Sequence, residues 1–519
     1  MSEKVTYSTF TRDETHRNGF LSGLESADSW LANRHPFYVD GQPREGSGFE
    51  DERSPNDREV VVGAFGTATL GDLDEAILSA AKKFRSWSQT PWVERVRIVR
   101  KVAHLVAERR FDLAAVLAWE VGKPCLEAIG EVDECVDLVN YYCDQMEHNE
   151  GFVRPMGHVS PGERARSVLR PYGVWGVIGP FNFPMALTLG PASAALIAGN
   201  TVVLKPSPHA YLSGLNVYKL FIDAGIPEGA LHLVTIPDAV LGDHLQRNPR
   251  VSGLTFTGSR DVGMRIYRQF ALDYPRPLIC EMGGKNPAIV TAKADLAKAA
   301  AGVARSAMSF AGQRCSACSR VYVEESVYDE FLPALVREIS TARVGTPVDV
   351  DSDVGPVIDE RAVARYQRAV EVAQSEGRVV TGGRRLTANQ LDRGYFVEPT
   401  VVEVPLESEL FRNELFVPFA AVHAVGSLEE ALERSNALVF GLTAGLYSED
   451  QTEIERFMDQ IDAGVIYINR AAGATSGAWP GVQPFGGWKG SGSSGRAAGG
   501  PHYLQQYMHE QSQTIVDSD

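Results

Sequence analysis

"SFAGQRCSACSR" (residues 309–320) sets two cysteines, Cys315 and Cys318, at C-x-x-C spacing. Three chemistries fit that spacing: half of a zinc site, a thiol–disulfide couple, or a nucleophilic thiol with an unrelated neighbour. A structural zinc site needs four ligands, commonly from a second C-x-x-C or a His pair, and Cys125, Cys135 and Cys143 do not supply them. A redox couple ordinarily follows a strand near the start of a thioredoxin-like unit. This one follows the helical run "LAKAAAGVARSAMSFAG", deep in the chain. Two buried packing thiols are the default for isolated cysteines, so the decision falls to the surrounding segments.

The chain has 519 residues, more than one simple core accommodates, and two or three domains are expected. Hydrophobic residues make up 44% and charged residues 22%, ordinary for a globular protein. Acidic residues outnumber basic ones 66 to 50, and no basic run offsets them. Such a surface disfavours nucleic acid and anionic membranes as partners. Six cysteines in this length do not make a disulfide scaffold, and a reducing cytoplasm is the expected setting. The first residues lack an apolar signal core. The uncharged stretch from Pro171 to Leu204 has the length of a membrane span, but prolines and glycines divide it. It reads as strand ("YGVWGVIGP"), turn ("FNFPM"), helix ("ALTLGPASAALIAG") and strand ("NTVVLKP").

Residues 1–35 read as a polar arm, and the pattern from there to about 150 as mainly helical, with apolar positions at helical spacing in "DEAILSAAKKFRSW" and "VERVRIVRKVAHLVAERRFDLAAVLAWEVGK". From 172 to 290, "VWGVIG", "TVVLKP", "LHLVTI", "SGLTFTG" and "NPAIVT" alternate with helical segments, which argues a parallel sheet covered on both faces. A second round of strand and helix signals follows, in "SRVYVEESVYDEFLPALVREI", "AAVHAVGSLEEALERSN" and "AGVIYINR". The Gly-, Ala- and Ser-rich stretch 470–500 reads as loop.

"FAGQRCSACSR" resembles the nucleophile segment of the aldehyde dehydrogenase family, in which Gly-Gln, one free position and Cys follow one another. Six further groups of residues carry the resemblance in family order. "CEMGGKN" (280–286) resembles the Glu-x-Gly-Gly-Lys segment, and "GPFNFP" (179–184) the Pro-Trp-Asn-Phe-Pro turn, with Phe181 where Trp is commoner. "LKPSP" (204–208), "FTGS" (256–259), "NELFVP" (413–418) and "QPFGGWKGSG" (483–492) complete the match, which runs from about residue 35 to the C-terminus. The resemblance implies an α/β fold with a Rossmann-like cofactor domain, an α/β catalytic domain and a small β bridging element. It implies Cys315 as nucleophile, a thiolate being a stronger nucleophile than water at neutral pH. Asn182, with the Cys315 backbone N–H, would stabilise the oxyanion. Hydride transfer would leave a thioester, and Glu281 would be the base for its hydrolysis. Cys318 is then expected to be a packing residue.

The same resemblance implies NAD or NADP as cofactor, with NAD favoured. Lys205 would lie at the adenosine ribose, Ser259 at the pyrophosphate on a helix start, Glu414 at the nicotinamide ribose and Phe416 on the nicotinamide side, with Ser207, Gly258 and Phe181 as further cofactor-binding residues. NAD-preferring members often carry Glu three residues after the lysine, where it repels a 2′-phosphate. Pro208 stands there in this chain, which leaves the exclusion of NADP without its usual residue.

Within the family, "GQRCSACSR" and "SGAWPGVQPFGGWKGSGSSGRAAGGPHYL" (476–504) are most similar to the group that oxidises glutamate γ-semialdehyde to glutamate, the 1-pyrroline-5-carboxylate dehydrogenases. Pro191, where many other members carry Lys, fits that group too. The likeness points to Ser476, Gly477 and Ala478 as carboxylate-binding residues and Phe485 as a substrate contact. Trp479 and Pro480 are bulkier than that loop ordinarily is, and another semialdehyde or a broad aldehyde range remains the alternative. CoA-acylating members generally lack the base that Glu281 provides, and a non-enzymatic scaffold would not need the full catalytic set. The implied domains are an arm (1–35), a cofactor domain (36–152 and 173–283), a catalytic domain (284–485) and a bridging element (153–172 and 486–519). The partners expected are a small aldehyde and further copies of the chain, in a homo-oligomer built from dimers.

Overall fold

A computed structural model describes residues 5–6, 14–471 and 478–516. Two seven-stranded sheets dominate it. The first has the order Leu278–Met282, Val251–Gly258, Val174–Ile178, Thr201–Lys205, Leu231–Leu233, Phe37–Val39, Gln42–Arg44. Its first five strands are parallel. Val174–Ile178 and Thr201–Lys205 are buried along their whole lengths, as central strands covered on both faces are. The second sheet runs Arg378–Thr381, Thr400–Glu403, Phe419–Val425, Cys318–Glu324, Asn286–Val290, Thr443–Tyr447, Val465–Ile468. It is parallel except at its first pair. A separate antiparallel sheet joins Met508–Val516, Glu163–Pro171 and Val153–Pro155.

The uncharged stretch is strand, loop and helix as its punctuation suggested. Ala186–Ala198 is a helix buried on all sides with Pro191 inside it, and Gly199 ends it in the left-handed region. Among the described residues no helix is long and apolar enough to cross a membrane. Leu70–Gln89 is helical, opened by a reciprocal cap between Thr69 and Asp72. The long helical run beyond it divides at Arg109 into Trp92–Glu108 and Arg110–Val121.

Two expectations fail near the N-terminus. Glu14–Glu25, read as part of an arm, is a helix packed on Arg110–Val121 and Cys125–His148, with Phe20 fully buried. Its polar sequence hides the contact because glycine makes it: a Cβ on Gly19 would stand 2.3 Å from the Phe111 ring. Residues 33–66, read as mainly helical, form five strands. The β-branched run in Asp57–Gly66 pairs with the charged strand Phe49–Ser54 across a turn at Pro55 and Asn56, a hairpin whose outer strand gives little hydrophobic signal.

Candidate active site

The nucleophile segment follows the helix Leu296–Met308. There the backbone turns through three consecutive left-handed residues, Phe310, Ala311 and Gly312, with φ of 48°, 52° and 68°. Such conformations are costly outside glycine and persist where the surroundings impose them. Here the surroundings are close-fitting, since a Cβ on Gly312 would stand 2.2 Å from the Val417 carbonyl oxygen. Gln313 fastens the next residue by accepting the Ile358 N–H at 2.8 Å and donating to the Pro356 carbonyl at 3.2 Å. Arg314 is buried in an ion pair with Glu127. Cys315 follows, partly exposed, its carbonyl taking the Asn286 amide at 2.7 Å. Burial pushes its thiol up to about 12, the nearby Glu414 and Glu281 adding to the effect and the Ser316 N–H opposing it. Cys318 begins the strand Cys318–Glu324 and packs in the apolar cluster with Met308, Tyr447 and Tyr467. All six cysteines are free thiols.

Asn182 lies in the turn after Val174–Ile178, 4% exposed, and its amide donates to the Gln313 carbonyl at 3.0 Å. That bond brings the turn against the nucleophile segment. Glu281 sits near the end of Leu278–Met282, level with Thr257 on the neighbouring strand. Burial raises its carboxyl to about 8 against one opposing hydrogen bond, from the Gly487 N–H at 3.3 Å. Cys315 and Glu281 line one cavity of about 90 Å³ together with Phe183, Tyr142, Ala478, Trp479, Phe485 and Glu134. Ser476 and Gly477 lie outside the described residues.

The order of the first sheet creates a crevice. From Val174–Ile178 the chain steps outward through Thr201–Lys205 and Leu231–Leu233, then returns to the other side as Val251–Gly258 and Leu278–Met282. Ligands bind open α/β sheets where the order reverses, at the carboxyl ends of the strands. Phe181, Lys205, Ser207, Gly258 and Ser259 all lie at those ends. Ser259 is the N-cap of Arg260–Phe270, and its side chain makes no capping hydrogen bond, so the helix start is open to an anion. The Ser207 hydroxyl accepts the His209 N–H at 3.3 Å. Phe181 meets Phe416 edge to face, 5.9 Å between centroids. Glu414, raised to about 7 by burial, accepts the Gly284 N–H at 3.0 Å. An anion-binding helix start, two polar groups and an aromatic pair along one crevice fit a dinucleotide.

Sequence reasoning missed what lies beneath the turn. Lys123 and Glu131, both fully buried, pair with each other. Glu127, Glu131 and Glu134 recur at helical spacing on Cys125–His148, a helix buried on that side. An acidic stripe on a buried face was the available signal.

A sequence model of the aldehyde dehydrogenase family matches residues 44–513. A 1-pyrroline-5-carboxylate dehydrogenase from Bacillus licheniformis is 36% identical over 512 residues, 97% of each chain. A structure of 1-pyrroline-5-carboxylate dehydrogenase from Thermus with bound NAD superposes with a TM-score of 0.93 at 31% identity, covering 100% of this chain and 99% of the other. Proline utilization A from Bdellovibrio bacteriovorus superposes with a TM-score of 0.92 at 30% identity over 99% of this chain, which spans 54% of that longer protein. With a family match over most of its length and relatives above 30% identity end to end, the chain belongs to the aldehyde dehydrogenase family.

Proposed function

We propose that this NAD(P)-dependent enzyme oxidises glutamate γ-semialdehyde, the open form of 1-pyrroline-5-carboxylate, to glutamate through a thioester on Cys315. The observation that carries the reading is a single cavity shared by Cys315 and Glu281, whose other wall combines the carboxyl of Glu134 with the rings of Tyr142, Trp479 and Phe485. As the Cys315 thiol gives up its proton to solvent, its sulfur adds to the aldehyde carbon and the carbonyl π pair becomes an oxyanion that the Asn182 amide with the Cys315 N–H stabilises. When bound, the nicotinamide supplies the two-electron acceptor. Glu281 takes the proton of the water that hydrolyses the thioester, and a carboxyl raised to about 8 is well matched to that task near neutral pH.

Lys205 and Ser207 would hold the adenosine ribose, Gly258 and Ser259 the pyrophosphate, Glu414 the nicotinamide ribose, and Phe181 and Phe416 would flank the ring. Glu134 and the aromatic wall suit the substrate ammonium. Ala478 would contribute to carboxylate binding with Ser476 and Gly477. Support for the substrate also comes from the Bacillus licheniformis and Thermus relatives, both named for 1-pyrroline-5-carboxylate. The enzyme assembles as a homo-oligomer built from dimers, pairing through Met508–Val516, the nine-residue edge strand of the three-stranded sheet.

Steady-state rates across a panel of aldehydes test the reading. The semialdehyde should exceed hexanal in kcat/KM by roughly 10², the scale lost when polar groups in a site go unpaired. Glutamate should compete with the aldehyde. A preference for hexanal, or no competition at millimolar glutamate, would leave the family activity and remove this substrate.

A further inference from the structure

We propose that Asp238 sets the preference of this enzyme for NAD over NADP, doing from the short helix beyond the neighbouring strand what a carboxylate at position 208 would do. The proposal rests on reading Lys205 as the ligand of the adenosine ribose. By itself, a lysine there with Pro208 three residues on would welcome a 2′-phosphate, because one cation would face it and no anion would oppose it. The structure changes that balance.

Leu231–Leu233 lies beside Thr201–Lys205 in parallel, with Leu233 level with Leu204. The chain leaves that strand through Pro237 and begins the short helix Asp238–Leu241. This brings Asp238 over the end of the adjoining strand, where its carboxylate pairs with the Lys205 ammonium. The two side chains differ sharply in exposure, 2% for Lys205 and 73% for Asp238. The buried cation is therefore covered by a carboxylate that is itself largely exposed.

The charge of Asp238 also acts on His209 and Tyr211. Asp359 stands 3.7 Å from His209, Glu50 acts on Tyr211, and Arg361 is the cation acting on His209, while burial pushes the Glu52 carboxyl well above the usual carboxylate range and takes it out of the balance. The segment 205–211 thus meets more negative than positive charge. A ribose hydroxyl can donate to the Asp238 carboxylate. A 2′-phosphate, carrying a charge of about −1.5 to −2, would meet that carboxylate with the lysine already engaged. An exposed ion pair of no consequence is the plain alternative, and it predicts no change in cofactor choice.

The test is calorimetric titration of the whole enzyme with AMP and with 2′-phospho-AMP, followed by kinetics with both cofactors. Asp238→Asn keeps the size of the side chain and removes its charge. It should raise the affinity for 2′-phospho-AMP relative to AMP by about tenfold at low salt, and less at high salt, as Coulomb repulsion near a surface dictates. The ratio of kcat/KM for NADP over NAD should move the same way. Adding Pro208→Glu should reverse the shift in the Asp238→Asn background and do little in the parent enzyme, a non-additivity expected when two groups serve one function. An unchanged nucleotide ratio in Asp238→Asn, with Asp238→Ser giving the same result, overturns the proposal. Lys205→Met tests the underlying reading separately. Weaker binding of both nucleotides upholds the ribose role of Lys205, and undiminished binding removes it whatever Asp238→Asn does.

Discussion

Lys123 donates at 2.6 Å to the backbone carbonyl of Asn182, from a position where no solvent reaches it. The same ammonium pairs with Glu131, whose other oxygen takes the N–H groups of Met185 and Ala186 at 2.8 and 3.1 Å. It also lies 3.7 Å from the centre of the Phe183 ring. One buried ion pair therefore fixes the carbonyl of the residue proposed to stabilise the oxyanion and the backbone three and four residues beyond it.

Removing half of that pair should cost stability and catalysis together. Lys123→Met leaves the Glu131 carboxylate buried without its cation, a loss of about 3–5 kcal/mol by the usual behaviour of broken buried pairs. The double variant with Glu131→Gln should recover part of this in urea denaturation. Asn182 would lose its anchor in both, so kcat should stay reduced about 10²-fold, the scale of one oxyanion donor. A stable double variant with parental kcat would show that Asn182 is held by its Gln313 bond alone.

The two cysteines of the opening segment should separate cleanly. Cys315→Ala should abolish turnover while nucleotide binding persists. Cys318→Ala exchanges one small buried group for another in an apolar cluster, and should cost about 1 kcal/mol and keep substantial activity. Equal inactivation by both substitutions would favour a paired thiol function and count against Cys315 as sole nucleophile.

Glu281 should reveal itself in pH dependence. Its carboxyl moves from an ordinary 4.5 to about 8 on folding, chiefly through burial. Between those values the folded state keeps a proton that the unfolded state has released, so this group's contribution to stability falls as pH rises, and levels off above about pH 8. The base is active in its ionised form, so thioester hydrolysis should rise over the upper part of the same range. Glu281→Gln should remove both trends, making the protein more heat-resistant than the parent at pH 8 to 9. It should also give a burst of reduced cofactor followed by slow turnover. Should the first turnover itself be slow, Glu281 acts before acylation, on the thiol.

The legible parts of this protein were those in which chemistry or period repeats locally. Strands such as Val174–Ile178 and Thr201–Lys205 are short, apolar and bounded by glycine or proline, and the helix Leu70–Gln89 shows its buried positions at three- and four-residue steps. Cys315 and Glu281 sit in glycine-rich segments that the family resemblance singles out, and the fold brings them to one cavity. What the sequence concealed depends on distant partners. The helix Glu14–Glu25 carries just three large apolar residues, Phe20, Leu21 and Leu24, and packs closely through glycines, and the strand Phe49–Ser54 is mostly charge. The Lys123–Glu131 support and the Lys205–Asp238 pair join residues whose separations of 8 and 33 positions carry no local pattern. Pro208 alone suggested an open choice of cofactor. Asp238, invisible as a partner until the strands are side by side, alters it.

The bulk of Trp479 leads to the final prediction. Its indole N–H donates at 2.5 Å to Asp137, and its ring lines the cavity beside Phe485 and Tyr503. The turn that carries it is closed on itself, Trp479 and Gln483 exchanging backbone bonds of 3.1 Å each. The ring is thus held from both its edge and its backbone, and it limits a cavity of about 90 Å³. A semialdehyde one methylene longer than glutamate γ-semialdehyde has the same ammonium and carboxylate, so only space distinguishes the two. A methylene is ordinarily worth about 1–3 kcal/mol of discrimination in a close-fitting pocket. The parent enzyme should accordingly favour the shorter substrate by about 10- to 100-fold in kcat/KM. Trp479→Ala should narrow that ratio at least tenfold, chiefly by improving the longer substrate, whereas Asp137→Asn should leave the ring in place and narrow it less. If Trp479→Ala depresses both substrates equally and the ratio holds, the ring supports the loop and another wall sets the length.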